Sequence, residues 1–319
     1  MAVLDQFIEY KIYLYLLLIG IPCLITFGTI GNTLSLIVLV KPKQRRCSIS
    51  RILSALAVTD LCFLWIAGLI IWPRAAFGIN VSDSSDFVCK CLTFMAASLA
   101  QISVLLIATI SLTRLISVLL PHKVKSICSL RNINICITLI VSLCYLVNIH
   151  ILVGLGLKEE GHCAKIEGIY NTLVVKMLVN LEIAFFILIP VAFVIVANIL
   201  TGVRIAFRTI KPVVMKRSQK QQSFRTTKIL TILSIVFLVS TIPVAVFYAS
   251  YSGQQLNHGT NHQDAVILLF WGAASFAYMT NSAINFVLYF LLASKFRKEV
   301  KKMFSCKKKQ VTCCLIAQL

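Results

Sequence analysis

Long apolar runs separated by short polar stretches recur along the whole chain. Each run reaches the roughly 20 residues that an α-helix needs to cross the hydrocarbon core of a bilayer. The pattern therefore predicts an all-α membrane protein, built as a bundle of seven transmembrane helices. The runs cover residues 12–40, 50–73, 87–120, 131–155, 173–208, 223–250 and 264–292.

The composition supports a membrane protein and excludes a class that the charge alone would suggest. Of the 319 residues 59% are hydrophobic and 13% are charged, and the mean hydropathy is +0.89. Soluble domains are markedly more polar. The net charge of +20 would fit a nucleic-acid partner, but proteins of that kind are polar. We therefore expect no nucleic-acid partner and interpret the basic residues as signals of membrane topology.

The distribution of charge fixes the orientation. An odd number of spans puts the two termini on opposite sides of the membrane. All but six of the 31 Lys and Arg residues lie in or beside the first, third and fifth connections and the C-terminal segment, where Glu299 is the single acid. The positive-inside rule thus places these regions in the cytoplasm and the N-terminus outside. The six exceptions are Lys11, Arg74, Lys90, Lys158, Lys165 and Lys176.

These boundaries divide the chain into an extracellular N-terminus, residues 1–11, the bundle, 12–292, and a cytoplasmic segment, 293–319. The last segment spaces Phe296, Val300 and Phe304 four residues apart with Lys and Arg between them. That spacing predicts a short amphipathic helix on the lipids of the inner leaflet. Three cysteines beside its lysine run are candidates for palmitoylation, with free thiols as the alternative: Cys306, Cys313 and Cys314.

Two further features fall in the predicted outside loops. Asn80-Val81-Ser82 is a sequon, so Asn80 is a candidate glycosylation site. Cys163 is the only cysteine of the second and third outside loops, in a space that favours disulfides. Its natural partner is Cys89, at the outer end of the third run, and Cys91 is the alternative.

Polar residues inside the apolar runs are the main functional candidates. An ionisable group within a span is costly, so Asp60 is expected to be functional, although a hydrogen-bonded structural aspartate is the alternative. Asn32 needs a polar partner and should face other helices. Arg114 follows Cys89 by a helical length of roughly 37 Å. Because the hydrocarbon core is about 30 Å thick, these two residues should lie at opposite faces of the membrane.

The fifth and sixth runs carry prolines and an acid. Pro190 and Pro243 should bend their helices. Glu182 lies two turns before Pro190, and we expect it to face a cavity for a cationic ligand or to pair with Lys176. Tyr248 and Tyr251 lie toward the outer end of the sixth run, as ligand contacts or as aromatic anchors at the membrane interface.

In these features, taken in order, the chain resembles the rhodopsin-like (class A) G-protein-coupled receptors over nearly its whole length. The motifs are Gly31-Asn32, the run Leu56–Asp60, Cys89 with Cys163, Ser103, Arg114, Pro190, Phe237, Pro243 and Asn285–Tyr289. The stretches KPKQRRCSISRILSALAVTDL and NSAINFVLYFLLASKFR are most similar to invertebrate neuropeptide receptors of the FMRFamide type. The resemblance implies no enzymatic activity.

What the resemblance implies is a plasma-membrane receptor that binds an extracellular ligand and activates a heterotrimeric G protein through Arg114. It also implies a network that holds water or a structural sodium ion at Asp60, without any other cofactor, and a set of residues that repack on activation. The network comprises Asn32, Asp60, Ser103, Asn281 and Asn285. The switch residues are Val104, Pro190, Phe237, Pro243 and Tyr289.

The chain departs from the family pattern at several positions. Thr113 stands for the acid before Arg114, Leu115 for the following Tyr, Thr241 for the Trp before Pro243, Phe286 for the Pro after Asn285, and Asn198 for a Tyr after Pro190. Ala96 stands where amine receptors place an Asp, which argues against a monoamine ligand. A neuropeptide is the favoured ligand, and a chemosensory receptor for small molecules is the alternative. A transporter and a ligand-gated channel are the more distant alternatives.

Overall fold

The computed structural model describes residues 4–42, 44, 46–158, 161–166, 181, 184–210, 231–232, 234–247, 250, 262–292 and 296–303. Within these ranges, six helices are long and apolar enough to cross a membrane, and a seventh apolar helix is shorter. In chain order they are α1 Ile8–Leu39, α2 Ser48–Phe77, α3 Asp86–Leu119, α4 Leu130–Gly154, α5 Ala184–Arg204, α6 Ser234–Phe247 and α7 His262–Leu292. Each of the seven predicted runs overlaps one of these helices, which confirms the helical architecture.

The helix ends differ from the predicted runs by a few residues. α1 begins at Ile8, so the outer N-terminal segment is itself partly helical. α2 continues past Pro73 to Phe77 and ends at Gly78, whose φ of 69° lies in the left-handed region. Glycine adopts that conformation without a steric penalty, so it terminates the helix there. The predicted run ended at residue 73.

The face of α1 that carries its glycines packs closely against α2 and α7. A Cβ atom on Gly28 would lie 2.4 Å from Cδ1 of Leu64, and one on Gly31 would lie 2.8 Å from Cβ of Phe286. Small residues allow helices to approach in a membrane, where packing supplies much of the association energy. These glycines therefore place α1 against the rest of the bundle, with Asn32 fully buried beside them.

Two apolar clusters fill the bundle. The outer cluster joins α1, α2, α3 and α7 through Leu17, Leu64, Leu99 and Met279. The inner cluster is centred on α3 and includes Phe237 of α6, which is fully buried. The clusters lie at the two ends of the bundle and leave a polar band between them.

A short helix at residues 296–303 follows α7. Its apolar residues Phe296 and Val300 belong to the inner cluster, and the Phe296 ring lies 5.8 Å from that of Tyr289 between centroids. The predicted amphipathic helix is thus present, but these two residues pack against the bundle and not against lipid. The third residue of the stripe, Phe304, lies outside the described residues.

Candidate functional site: three polar layers along α3

α3 carries functional candidates at its outer end, its middle and its inner end. The outer layer contains a disulfide between Cys89 and Cys163, with Cα atoms 5.6 Å apart. Cys91 is a free thiol, so the favoured pairing is confirmed and the alternative is wrong. Cys163 opens strand β2, Cys163–Lys165, which pairs antiparallel with β1, Leu155–Leu157. The bridge therefore fastens a β-hairpin of the second outer loop to α3.

Two aspartates that sequence reasoning missed hold the same hairpin. Asp83 accepts a hydrogen bond from the backbone N–H of Cys163 at 2.7 Å, and its other oxygen lies 3.2 Å from Nδ1 of His162. Asp86 accepts the N–H of Leu157 at 3.2 Å. Burial alone would raise the pKa of Asp83, but the hydrogen bonds from Cys163 and His162 outweigh it and lower that pKa. These contacts join residues about 80 apart, and no local sequence pattern indicated them.

The first outer loop also contains the sequon. Asn80 is partly exposed and precedes a short 3-10 helix, Val81–Ser84. Ser85 then caps α3 by accepting the N–H of Val88 at 3.2 Å. Glycosylation of Asn80 stays a prediction.

The middle layer surrounds Asp60, which is fully buried. One carboxylate oxygen accepts the Ser103 hydroxyl at 2.9 Å, and the other accepts the amide N–H of Asn285 at 2.7 Å. Asn32 donates to the backbone oxygen of Ser282 at 2.8 Å. The structure thus brings residues of α1, α2, α3 and α7 together at one depth, as the order of motifs implied.

The oxygen atoms of this layer are suitable ligands for a small hard cation. Amide oxygens of Asn32, Asn281 and Asn285 are buried and have no hydrogen-bond partner among the described residues. Amide and carboxylate oxygens such as these and those of Asp60 are the ligands that hard cations prefer. A sodium ion would be held by Asp60 and these amide oxygens, where it would supply positive charge to a buried carboxylate.

A neighbouring contact joins α3 to α4. Asn148, fully buried, donates to Oε1 of Gln101 at 2.6 Å and to the backbone oxygen of Cys144 at 2.7 Å. The fourth apolar run contains no recognisable motif. The single signal was an amide inside an apolar run, which needs a polar partner.

The inner layer contains Arg114, with 4% of its surface exposed. Nη1 of Arg114 donates to the Thr231 hydroxyl at 3.4 Å, a long contact. Its Nε and Nη2 groups are buried and have no protein acceptor among the described residues. Thr113 gives its hydroxyl to the backbone oxygen of Ile110 on its own helix at 2.9 Å. Thr113 therefore does not replace the acid that the family places beside the arginine.

The switch candidates lie near this inner layer. Val104, Phe237 and Tyr289 all belong to the inner cluster, and the Tyr289 hydroxyl is buried without a partner in the described part of the chain. Pro190 is buried on α5, directly after a π-helical turn, Ala184–Leu188. A proline cannot donate the backbone hydrogen bond of a regular helix, and such wide turns accompany helix bends. Pro243 is partly buried on α6.

Six predicted site residues lie outside the described residues. They are Glu182, Tyr248, Tyr251, Cys306, Cys313 and Cys314. Their roles in ligand binding and palmitoylation stay predictions.

The chain is similar to known proteins over most of its length. The model of the family described as 7 transmembrane receptor (rhodopsin family) matches residues 31–289. The chain is 24% identical over 296 residues to mouse growth hormone secretagogue receptor type 1, covering 88% of this chain and 78% of that protein. It is 23% identical over 285 residues to zebrafish galanin receptor 2a, covering 88% and 75%. It is 24% identical over 300 residues to G-protein coupled receptor 54 of Oreochromis niloticus, covering 87% and 75%.

Proposed function

The chain belongs to the rhodopsin family of seven-transmembrane receptors, and from that premise we propose that an extracellular cationic peptide activates it. The observation that carries the proposal is the match of the receptor family model across all three layers, residues 31–289. The family is a receptor family and not an enzyme family. The protein is a multi-pass plasma-membrane receptor that couples to G proteins.

The outer and the inner layer each have a role in this proposed activity. The outer hairpin is fastened to α3 by a covalent bond and two aspartates, so a ligand there meets a fixed wall. At the inner end a single long hydrogen bond joins Arg114 to Thr231. A ligand that binds more tightly to the state in which this end is open shifts the population toward coupling. Arg114 is the group that would contact the G protein.

The charge of the outer side favours a cationic ligand. All of the eleven acidic residues except Asp60 and Glu299 lie toward the outside, against six Lys and Arg residues. Part of this negative charge is neutralised within the chain, because Asp86 forms an ion pair with Lys90 at 2.5 Å. Among these outer acids, Glu182 lies deepest in a predicted span, where it would pair with a cationic group of the ligand.

A peptide fits this chemistry better than a monoamine. Ala96 offers no carboxylate at the position where amine receptors place an Asp. Two relatives carry the names of what they bind, galanin and a growth hormone secretagogue, and both of these are extracellular messengers. An amidated peptide that ends in Arg-Phe supplies a guanidinium for Glu182 and an aromatic ring for Tyr248 and Tyr251. The narrower similarity to invertebrate FMRFamide-type receptors stays a prediction.

The test is a screen of amidated peptides against cells that express the chain, with G-protein dissociation as the readout. Once an agonist is found, Glu182→Gln should shift its potency more than about tenfold, because losing a buried charge pair commonly costs about 2–5 kcal/mol. Glu160→Gln, in the second outer loop, is the matched control and should leave the potency within about threefold.

Three results would change the proposal. An unchanged potency of the Glu182→Gln variant would assign that residue to a structural pair with Lys176. Activation by small molecules, with no response to any peptide, would favour the chemosensory alternative. Ligand-evoked current without G-protein dissociation would argue for a channel.

A further inference from the structure

Arg114 is a buried cation for which this chain supplies no side-chain carboxylate. The inner segments contain one acid, Glu299. Its carboxylate lies 3.0 Å from Lys41 and 3.2 Å from Lys302, and hydrogen bonds from these two lysines lower the pKa of Glu299. Glu299 therefore stays ionised and is already paired.

The other acids are too far away. Asp60 contacts Ser103, and eleven residues of helix separate Ser103 from Arg114, which is roughly 16 Å. The remaining acids lie toward the outside. The inner stretches beyond the described residues, 211–230 and 304–319, contain no Asp or Glu. This conclusion therefore holds for all 319 residues of the sequence.

A buried charge without a counter-charge is strongly unfavourable. The guanidinium has one neutral partner, the Thr231 hydroxyl at 3.4 Å. Its Nε and Nη2 groups, which form one edge of the guanidinium, are buried with no protein acceptor in the described ranges. An edge of this kind presents two parallel N–H donors, the geometry that binds anions.

We propose that a small inorganic anion, for which chloride serves as the probe, binds this edge of Arg114 in the closed state. The anion takes the place of the carboxylate that the family carries at the position of Thr113. Thr231, three residues before the start of α6, contacts the same guanidinium, and one turn outward the hydroxyls of Ser111 on α3 and Ser234 on α6 lie 3.4 Å apart. The anion therefore stabilises the state in which α3 and α6 are in contact, and its loss favours the open state.

This proposal deepens the proposed function, because it adds a regulatory ion to the coupling arginine. An anion that binds only the closed state shifts the equilibrium by the factor 1 + [L]/Kd, so 150 mM chloride with a Kd of about 30 mM shifts it about sixfold. Basal nucleotide exchange should consequently rise severalfold when chloride is withdrawn.

The experiment compares sodium chloride with sodium gluconate at equal concentration, so that sodium and ionic strength stay constant. The purified receptor is tested by thermal unfolding without agonist or G protein, and membranes are tested for basal nucleotide exchange. Chloride should raise the unfolding midpoint saturably by about 2 °C and lower basal exchange. A separate series with choline chloride in place of sodium chloride reports any cation site at Asp60. Because the unfolding readout needs neither ligand nor partner, its failure is distinct from failure of the proposed function.

The matched pair of variants is Thr113→Asp and Thr113→Asn. The aspartate supplies an internal carboxylate and should abolish the chloride effect, while the asparagine, of equal size and without charge, should retain it. Absence of any chloride effect in the natural sequence would overturn the proposal. An equal effect in the aspartate variant would overturn it too, because it would place the anion elsewhere.

Discussion

The two ends of α3 are held in very different ways. At the outer end, a disulfide and the hydrogen bond from Leu157 to Asp86 fix the helix to the second outer loop, Asp83 just before the helix binds the same loop, and Ser85 caps the helix. At the inner end, within the described part of the chain, Arg114 has one long hydrogen bond, to Thr231 just before α6, and Thr113 bonds to its own helix. Segments with few strong contacts open most easily. The difference indicates that activation moves the inner end while the outer end provides a fixed frame.

The largest expected effect comes from removing the outer bridge. Cys163→Ser should sharply reduce the amount of folded receptor at the cell surface, because loss of a native disulfide typically costs about 2–5 kcal/mol. The Asp83 contact to the backbone of Cys163 does not compensate for a covalent bond. Surface labelling of intact cells measures the effect.

Cys91→Ser is the control for that experiment. Cys91 lies two residues from the bridge and is a free thiol, so its variant should reach the surface at wild-type levels. Equal losses in both variants would mean that Cys91 also takes part in the pairing, and the contrast between the two ends of α3 would weaken.

The second-largest expected effect concerns signalling without ligand, which tests how weakly the inner end of α3 is held. Because Arg114 has no adjacent carboxylate, the closed state should be weakly held and signalling without ligand should exceed that of empty-vector cells. Thr113→Asp should reduce this basal signal at least about fivefold, since even an exposed ion pair can contribute about 1 kcal/mol and Arg114 is buried. G-protein dissociation in unstimulated cells at matched surface expression measures it.

Thr113→Asn separates charge from size. The asparagine should reduce the basal signal much less than the aspartate does, because it offers no negative charge to Arg114. A natural-sequence signal equal to that of empty-vector cells would show that Thr113 does not loosen the closed state.

Much of this architecture could be predicted from the sequence, because membrane insertion depends on properties that are local. The length of each apolar run and the loops that carry Lys and Arg are properties of single segments of the sequence. The spans and their orientation could therefore be predicted directly. The polar middle layer was predictable for a related reason. A buried Asp60 has few polar groups available at its depth, and Ser103 and Asn285 were among them.

The outer contacts of Asp83 and Asp86 could not be predicted in the same way. Both residues lie in a polar loop where any exposed acid is acceptable, and their partners His162, Cys163 and Leu157 are remote in the chain. The direction of the stripe of Phe296 and Val300 was also ambiguous. Lipid and the inner cluster are both apolar, so the sequence pattern fits either neighbour, and only the folded bundle shows that the cluster covers them.

The smallest expected effect tests whether Asp83 helps to fix the outer end. Asp83→Asn removes the negative charge that Cys163 and His162 face and should lower the unfolding midpoint of the purified receptor by about 2 °C at pH 7. The pKa of Asp83 is lowered in the folded state, so its stabilisation is present above the ordinary value of about 3.9 and is lost as the pH falls through the lower folded value. The difference between the variant and the natural sequence should accordingly shrink in acid. Asp5→Asn, an exposed outer aspartate, should show no difference at either pH, and a gap for Asp83→Asn that persists in strong acid would assign the effect to packing instead of charge.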